Sequence, residues 1–240
     1  MNILVTGGAS GLGLAITTLL AGDADNTIYI TYSKSSVKAE ELKMKYPNII
    51  SFQCDFTSTD SVKAFGEKIK ELDLDALINN AYAGAYLQSH FYKTPVTDFM
   101  SSFKENVVPV LEITQSAITE FRKKKKGKII TILTSALSGT PSIGSSIYAS
   151  NKAYLQMMTK VWANENAKFN ITSNSVSPSF MLTQLTSSID ERIIEQITES
   201  QSVKTLLTVE EVAKAVHHLL KESTQVNGTD IVVTPGSGVI

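Results

Sequence analysis

The sequence predicts an α/β fold: a doubly wound parallel sheet with helices on both faces. Three observations predict it. Short apolar runs alternate along the chain with longer segments of helical spacing. Several of those runs are unbroken Ile/Val/Leu stretches, the pattern of strands covered on both faces rather than one. The first run leads directly into a glycine-rich turn and then a helical pattern.

Taken in order, strands are expected at 2–6, 27–32, 49–53, 76–79, 128–133, 171–176 and 230–234, and helices at 12–21, 36–45, 59–72, 106–124, 148–167 and 209–220. Thr208-Val209-Glu210-Glu211 reads as a capping box, with a hydroxyl at the N-cap and a carboxylate three residues on. Segments 82–96 and 177–202 read as irregular. Both follow strands, and ligands of such sheets bind beyond the carboxyl ends of the strands. No linker, repeat or low-complexity tract interrupts the 240 residues, so the chain reads as a single domain over 1–240.

A net charge of −1 with 42% hydrophobic and 19% charged residues argues against disorder, and gives no footing for nucleic acid or a membrane surface. Cys54 is the only cysteine, which rules out an intrachain disulfide and suits a reducing, cytoplasmic setting. Neither a signal peptide nor a membrane span is expected. His90, His217 and His218 lack metal-ligand company, so no metal is expected.

The turn reads Thr6-Gly7-Gly8-Ala9-Ser10-Gly11-Leu12-Gly13. A backbone that must bend sharply and approach a pyrophosphate closely needs glycine, and a helix start offers free N–H groups to phosphate. Thr6, Gly7, Ser10, Gly11, Leu12 and Gly13 are therefore candidate dinucleotide-binding residues. The G-x-x-x-G-x-G spacing differs from the usual G-x-G-x-x-G. It resembles the T-G-x-x-x-G-x-G of the short-chain dehydrogenase/reductase family.

Further marks of that family follow in order. Asp55 and Phe56 follow the third strand, where the resemblance places the adenine. Asn79-Asn80-Ala81 resembles N-N-A-G, with Tyr82 in place of the glycine. Asn106 is read as opening a helix and Ser135 as ending the fifth strand. Tyr148 and Lys152 give Y-x-x-x-K, and Pro178 and Thr183 follow the sixth strand, with Ser179 where the family has glycine. The resemblance implies a Rossmann-like oxidoreductase with Asn106, Ser135, Tyr148 and Lys152 as catalytic residues. It also implies that Asn80, Ala81, Pro178 and Thr183 contact the cofactor, that Lys152 holds the nicotinamide ribose, and that Asn106 supports a water-mediated proton relay.

The residues make chemical sense on their own. Tyr148 and Lys152 share a helix face. A tyrosine of ordinary pKa, about 10, exchanges protons poorly at neutral pH, and a nearby ammonium is expected to lower it. Ser135 can hydrogen-bond a carbonyl oxygen. The second strand ends without a carboxylate for the ribose hydroxyls, whereas Ser33 and Lys34 suit a 2′-phosphate, so the expected cofactor is NADP(H).

Within the family the layout resembles the 3-oxoacyl-(acyl-carrier-protein) reductases, in its compact length, its basic segment before Gly127 and its C-terminal 226–236 pattern. That implies a ketoreductase acting on a small-molecule or carrier-linked substrate. A reductase of a sugar, polyol or other small carbonyl compound is the alternative. A silent NADP-sensing regulator is a third reading, against which intact Ser135, Tyr148 and Lys152 argue. Segment 185–202 is expected to form a substrate lid, with Met181, Leu182, Leu185 and Ile189 either lining an apolar pocket or packing on the core. Basic residues 122–126 read either as a solvated helix end or as a docking patch for an acidic carrier. A homotetramer is expected through helices 106–124 and 148–167, the second of which carries Leu155, Met158, Val161 and Trp162.

Overall fold

The computed structural model describes residues 1–87, 89–187 and 189–236. Gln88, Ser188 and residues 237–240 lie outside them, so the expected irregular segments and lid are covered except at those two positions. The strands are β1 (Asn2–Val5), β2 (Thr27–Tyr32), β3 (Ile49–Gln53), β4 (Ala76–Asn79), β5 (Gly127–Ile132), β6 (Ile171–Pro178) and β7 (Asp230–Val233). They form one seven-stranded sheet in the order β3-β2-β1-β4-β5-β6-β7, parallel at every pairing. The helices are α1 (Gly11–Ala21), α2 (Ser36–Lys45), α3 (Thr59–Ile69), α4 (Val96–Asn106), α5 (Val108–Lys124), α6 (Ser146–Asn166), α7 (Glu191–Ser200) and α8 (Val209–Lys221).

Side chains on a strand alternate between faces, and here the alternation divides the core in two. Ile3 and Val5 of β1, Ile28 and Ile30 of β2 and Ile78 of β4 pack with α1 and α8. Leu4, Leu77 and Ile129 point the other way, to Phe65 of α3, Ile113 and Phe121 of α5, and Trp162 of α6. With helices on both faces, every central strand is buried. The sheet order reverses between β1 and β4, and the crevice beyond their carboxyl ends is the position where such a fold binds ligands.

Two expectations about helices need correction. The helix expected at 106–124 is α5, begun two residues later, and an unexpected helix, α4, precedes it, so Asn106 closes α4 instead of opening α5. Pro109 sits in the first turn of α5 and has no N–H to continue the α4 ladder, so the chain breaks at Val107. Segment 177–202 also contains α7, capped by the Asp190 side chain, which accepts from the Arg192 N–H at 2.8 Å. The expected capping box of α8 is present as its hydroxyl half: Thr208 accepts from the Glu211 N–H.

The basic run has a structural task. The Lys124 ammonium donates to the Asp73 and Leu74 carbonyls, at 3.0 Å each, and pairs with Asp73 at 2.8 Å and Asp75 at 3.5 Å. Arg122 donates to the Asn166 side chain at 2.7 Å and lies over the Phe169 ring. These residues precede β5 and face the start of β4, at the amino end of the sheet. The length of β5, at about 3.3 Å per residue, puts them roughly 20 Å from the crevice. That position and those bonds favour the reading of the run as a helix end that ties down the fold over docking at the crevice. Leu155, Met158 and Trp162 likewise pack into the core of their own chain, so they supply no surplus apolar surface for a tetramer.

Lys124→Met removes the tie between α5 and the start of β4. It should lower the unfolding free energy in urea by about 1–3 kcal/mol, as loss of charged hydrogen bonds does, while leaving turnover kinetics unchanged. A kinetic defect confined to carrier-borne substrates, without loss of stability, would restore the docking role.

Candidate active site

A cavity of about 640 Å³ opens at the carboxyl ends of β1 and β4. Its floor is the glycine turn. Gly7 has φ +66°, a left-handed conformation that glycine adopts without strain. A Cβ on Gly13 would fall 2.1 Å from the Gly7 carbonyl oxygen, so α1 starts in direct contact with the turn. Ser10, the N-cap of α1, makes no side-chain hydrogen bond, which leaves the first N–H groups of the helix to face the cavity.

Thr6 was expected to touch the cofactor, but it is fully buried beneath the turn. Its hydroxyl accepts from the Asn80 and Ala81 N–H groups at 2.9 and 3.1 Å and donates to the Ile78 carbonyl. Asn80 returns a side-chain bond to the Thr6 carbonyl at 2.9 Å. The two strand ends are thus clasped together, and Thr6 positions the site without lining it. Gly7, Ser10, Gly11, Leu12, Gly13, Ser33, Lys34, Asp55, Phe56, Asn80, Ala81, Pro178 and Thr183 all line the cavity as expected, as do Tyr148 and Lys152. Met181 and Leu185 line it too, and Met181 also packs against the core. Leu182 is 56% exposed and does not line it.

At one end Ser10, Lys34 and Ser35 form a side pocket with Lys38, which the sequence reading did not single out. Lys38 lies in the first turn of α2 while Lys34 precedes that helix, so only their closeness in sequence signalled the pairing. Asp55 lies near Ser33 and Lys34. Its carboxyl is held below the ordinary range, first by the Thr57 backbone N–H and then by the Thr57, Ser33 and Lys34 side chains. Cys54 also lines the cavity, and burial pushes its thiol up to about 11, so it stays protonated and unreactive.

At the other end stand Tyr148 and Lys152, on the first turns of α6. Lys152 is 4% exposed, and its ammonium donates to the Ile132 carbonyl at 2.7 Å. Burial draws it down to about 8. The Tyr148 phenol does not follow expectation. Burial pushes it upward, the neighbouring Tyr86 and Tyr82 add to the rise, and only a hydrogen bond with Thr134 opposes it. Tyr86 and Tyr82 pack edge-on against its ring at 5.0 and 5.1 Å, and Phe180 meets Tyr86 at 6.5 Å. The lysine does lie beside the phenol, 5.7 Å from the ring centre, but it is desolvation that sets the direction of the shift.

Two expected catalytic residues stand off from this pair. Ser135 opens a short 3₁₀ turn just past β5, half-buried and outside the cavity lining. Asn106 is 1% exposed, and its side chain accepts from the Ala83 N–H at 2.6 Å and donates to Ser102. The sequence reading missed Thr134, Tyr86 and Phe180. Thr134 adjoins Ser135 in sequence, whereas nothing local marks the two aromatics, which meet only through the fold.

A parallel sheet with a glycine turn at its switch point, and a buried Tyr–Lys pair at the far wall of the same cavity, is the architecture of a dinucleotide-dependent oxidoreductase. The short chain dehydrogenase family model matches residues 1–194, and the chain belongs to that family. It is similar to the 3-oxoacyl-(acyl-carrier-protein) reductase MabA of Mycobacterium avium, with 30% identity across 99% of this chain and 90% of that protein. The corresponding reductase FabG of Aquifex aeolicus is 31% identical across 97% of this chain and 95% of its own length. A short chain dehydrogenase from Burkholderia cenocepacia, solved in complex with NADP, superposes with a TM-score of 0.86 at 25% identity, over 99% of this chain and 97% of that one. Among the described residues, no cluster of side chains could hold a metal and no helix is long and apolar enough to cross a membrane.

Gly13→Ala drives a Cβ into the Gly7 carbonyl. The turn must shift, and nicotinamide dinucleotide affinity should fall at least about tenfold, the equivalent of one good hydrogen bond. A fluorescence titration with NADPH and NADH measures it. Unchanged affinity would mean that the turn does not carry the pyrophosphate.

Proposed function

We propose that the protein is an NADPH-dependent ketoreductase whose substrates are 3-oxoacyl thioesters, including carrier-linked ones. The observation that carries the reading is the reach of one cavity from a cationic, hydroxyl-lined pocket to the Tyr148–Lys152 pair. Lys34, Lys38, Ser10 and Ser35 would hold a 2′-phosphate through charge-assisted hydrogen bonds. The uncapped start of α1 suits the pyrophosphate, with Asp55 and Phe56 beside the adenine. Bound NADPH supplies the hydride. The protein's part is to orient the carbonyl and deliver a proton to its oxygen.

Tyr148 is the group placed to give that proton, and its raised pKa keeps it protonated until charge develops on the substrate oxygen. Lys152, once charged, stabilises the phenolate left behind. Thr134 fixes the phenol, and Ser135 completes the cradle for the oxygen when the rings of Tyr86 and Phe180 part. The thioester assignment rests on the curated relatives and on the apolar Met181 and Leu185 beside the pair. The close packing of Tyr86 and Phe180 over Tyr148 favours a second reading, a small carbonyl compound. Self-association belongs to the first reading; Tyr154 and Met157, exposed on α6, offer it apolar surface.

NADPH oxidation with acetoacetyl thioesters, set against a panel of small ketones and sugars, decides between these substrates. Tyr148→Phe should lower kcat by at least about 10²-fold with little change in NADPH affinity. Activity within a few-fold of the wild type would remove Tyr148 from the mechanism.

Lys34→Asp should narrow or reverse a preference for NADPH over NADH, read as the ratio of their dissociation constants. Equal wild-type affinities would instead point to a cofactor without the 2′-phosphate.

A further inference from the structure

We propose that Tyr82 is a positioning residue for the Tyr148–Lys152 pair: its ring supports the Lys152 ammonium, and its hydroxyl anchors that ring to α4 and α6. The inference rests on reading Tyr148 and Lys152 as the proton-delivering pair. Tyr82 stands where the N-N-A-G pattern has glycine, and the fold uses the added side chain.

Lys152 is a buried cation with few partners. An ammonium has three protons to donate, and the one hydrogen bond found for it runs to the Ile132 carbonyl. What else surrounds the charge is aromatic. The Tyr82 ring centre is 5.1 Å from Nζ and the Tyr148 ring centre 5.7 Å. The titratable groups facing Lys152 are therefore Tyr148 of its own helix and Tyr82 of the β4–α4 loop, both phenols. Burial is what moves its pKa, with no carboxylate acting on it. The negative face of a ring is worth most to a cation that has lost its water.

The ring is itself held. The Tyr82 hydroxyl hydrogen-bonds the side chains of Asn151 and Ser102. Ser102 Oγ also accepts from Asn151 at 3.0 Å and from Asn106 at 3.3 Å, and Asn106 in turn accepts from the Ala83 N–H. The loop is thus pinned by its backbone at Ala83 and by its side chain at Tyr82. The same ring packs edge-on against Tyr148 at 5.1 Å. One residue therefore touches both members of the pair and links them to the buried polar cluster around Asn106.

The test reads Lys152 itself. In protein carrying ¹³C-labelled lysine, the Lys152 side-chain resonance, assigned by its loss in Lys152→Met, is titrated against pH. The wild type should titrate near 8. A ring face favours the charged form, so removing it lowers the pKa and deprotonation begins at lower pH. Tyr82→Leu should shift the midpoint down by roughly half to one and a half units, while Tyr82→Phe should leave it near the wild type. Should Tyr82→Leu fail to fold, pentafluorophenylalanine at position 82 keeps the shape and reverses the ring quadrupole, and should shift the midpoint down relative to Tyr82→Phe. In ketone reduction, the alkaline fall in kcat should move down with it. An unmoved midpoint in the leucine or pentafluoro protein, or an equal shift in Tyr82→Phe, overturns the proposal. The titration needs no turnover, so a fully active Tyr148→Phe would sink the proton-delivery reading without deciding this one.

Discussion

The start of α1 lies so close to the turn before it that position 13 has no room for a β-carbon. Much of the site follows from that contact. It brings the first N–H groups of the helix to the carboxyl end of β1 and makes the turn the floor of the cavity. It also leaves the Gly7 carbonyl within reach of the Asn80 amide, at 3.4 Å, so the end of β4 is fastened to the same turn. The segment from Asn80 to Gly84 then runs along the cavity wall toward α6 and brings Tyr82 to Lys152. One steric restriction thus fixes the glycine-turn end of the cavity and, through a short stretch of chain, orients the Tyr148–Lys152 end.

The two ends are electrostatically opposite in kind. At the Lys34 end charges are solvated and plural: Lys34, Lys38 and Asp55, with the hydroxyls of Ser10, Ser33 and Ser35 beside them. At the reactive end one cation is sealed among rings, and both it and the phenol beside it are pushed toward their neutral forms. Shifts of this size mark chemical sites more often than structural ones, and Lys152, drawn toward neutrality, is the member that can change charge there.

Much of this was legible in the sequence. The sequence pattern located every strand to within two residues at either end, helped in β1, β4, β5 and β7 by the apolar runs that buried parallel strands leave. The glycine turn and the Tyr–Lys spacing are local patterns, and they led to residues that do line one cavity. What escaped the reading was non-local or weakly patterned. Asn106 looked like a helix start because the break made by Pro109 was overlooked. Helix α7 was passed over although Asp190 announces its cap, since its apolar residues Ile193, Ile194 and Ile197 are few. Thr6 looked like a ligand contact, yet it ties strand ends, a role visible only once β4 lies beside β1. The lysines of α5 carry charge in a row, but which end of the sheet they occupy is a matter of topology.

The central pairing carries a consequence for how the molecule is made. Asn2 of β1 bonds Asp75, at the threshold of β4, across 73 residues of chain. Adjacent strands β1 and β2 can meet after a single crossover, but β1 and β4 must wait until three strands and three helices have been synthesised. Closing so long a loop is entropically slow. Until it closes, Thr6 has no Asn80 to clasp, and the turn lacks one wall. On the ribosome the emerging first third of the chain would therefore hold the glycine turn without the cavity it floors. Its edge along β1 would stay open to other strands in the meantime. The cavity wall formed by Asn80 and Ala81 appears only with that long-range pairing, and Tyr148, Lys152 and Thr183 join it later still, so nothing bound there could guide the first strands.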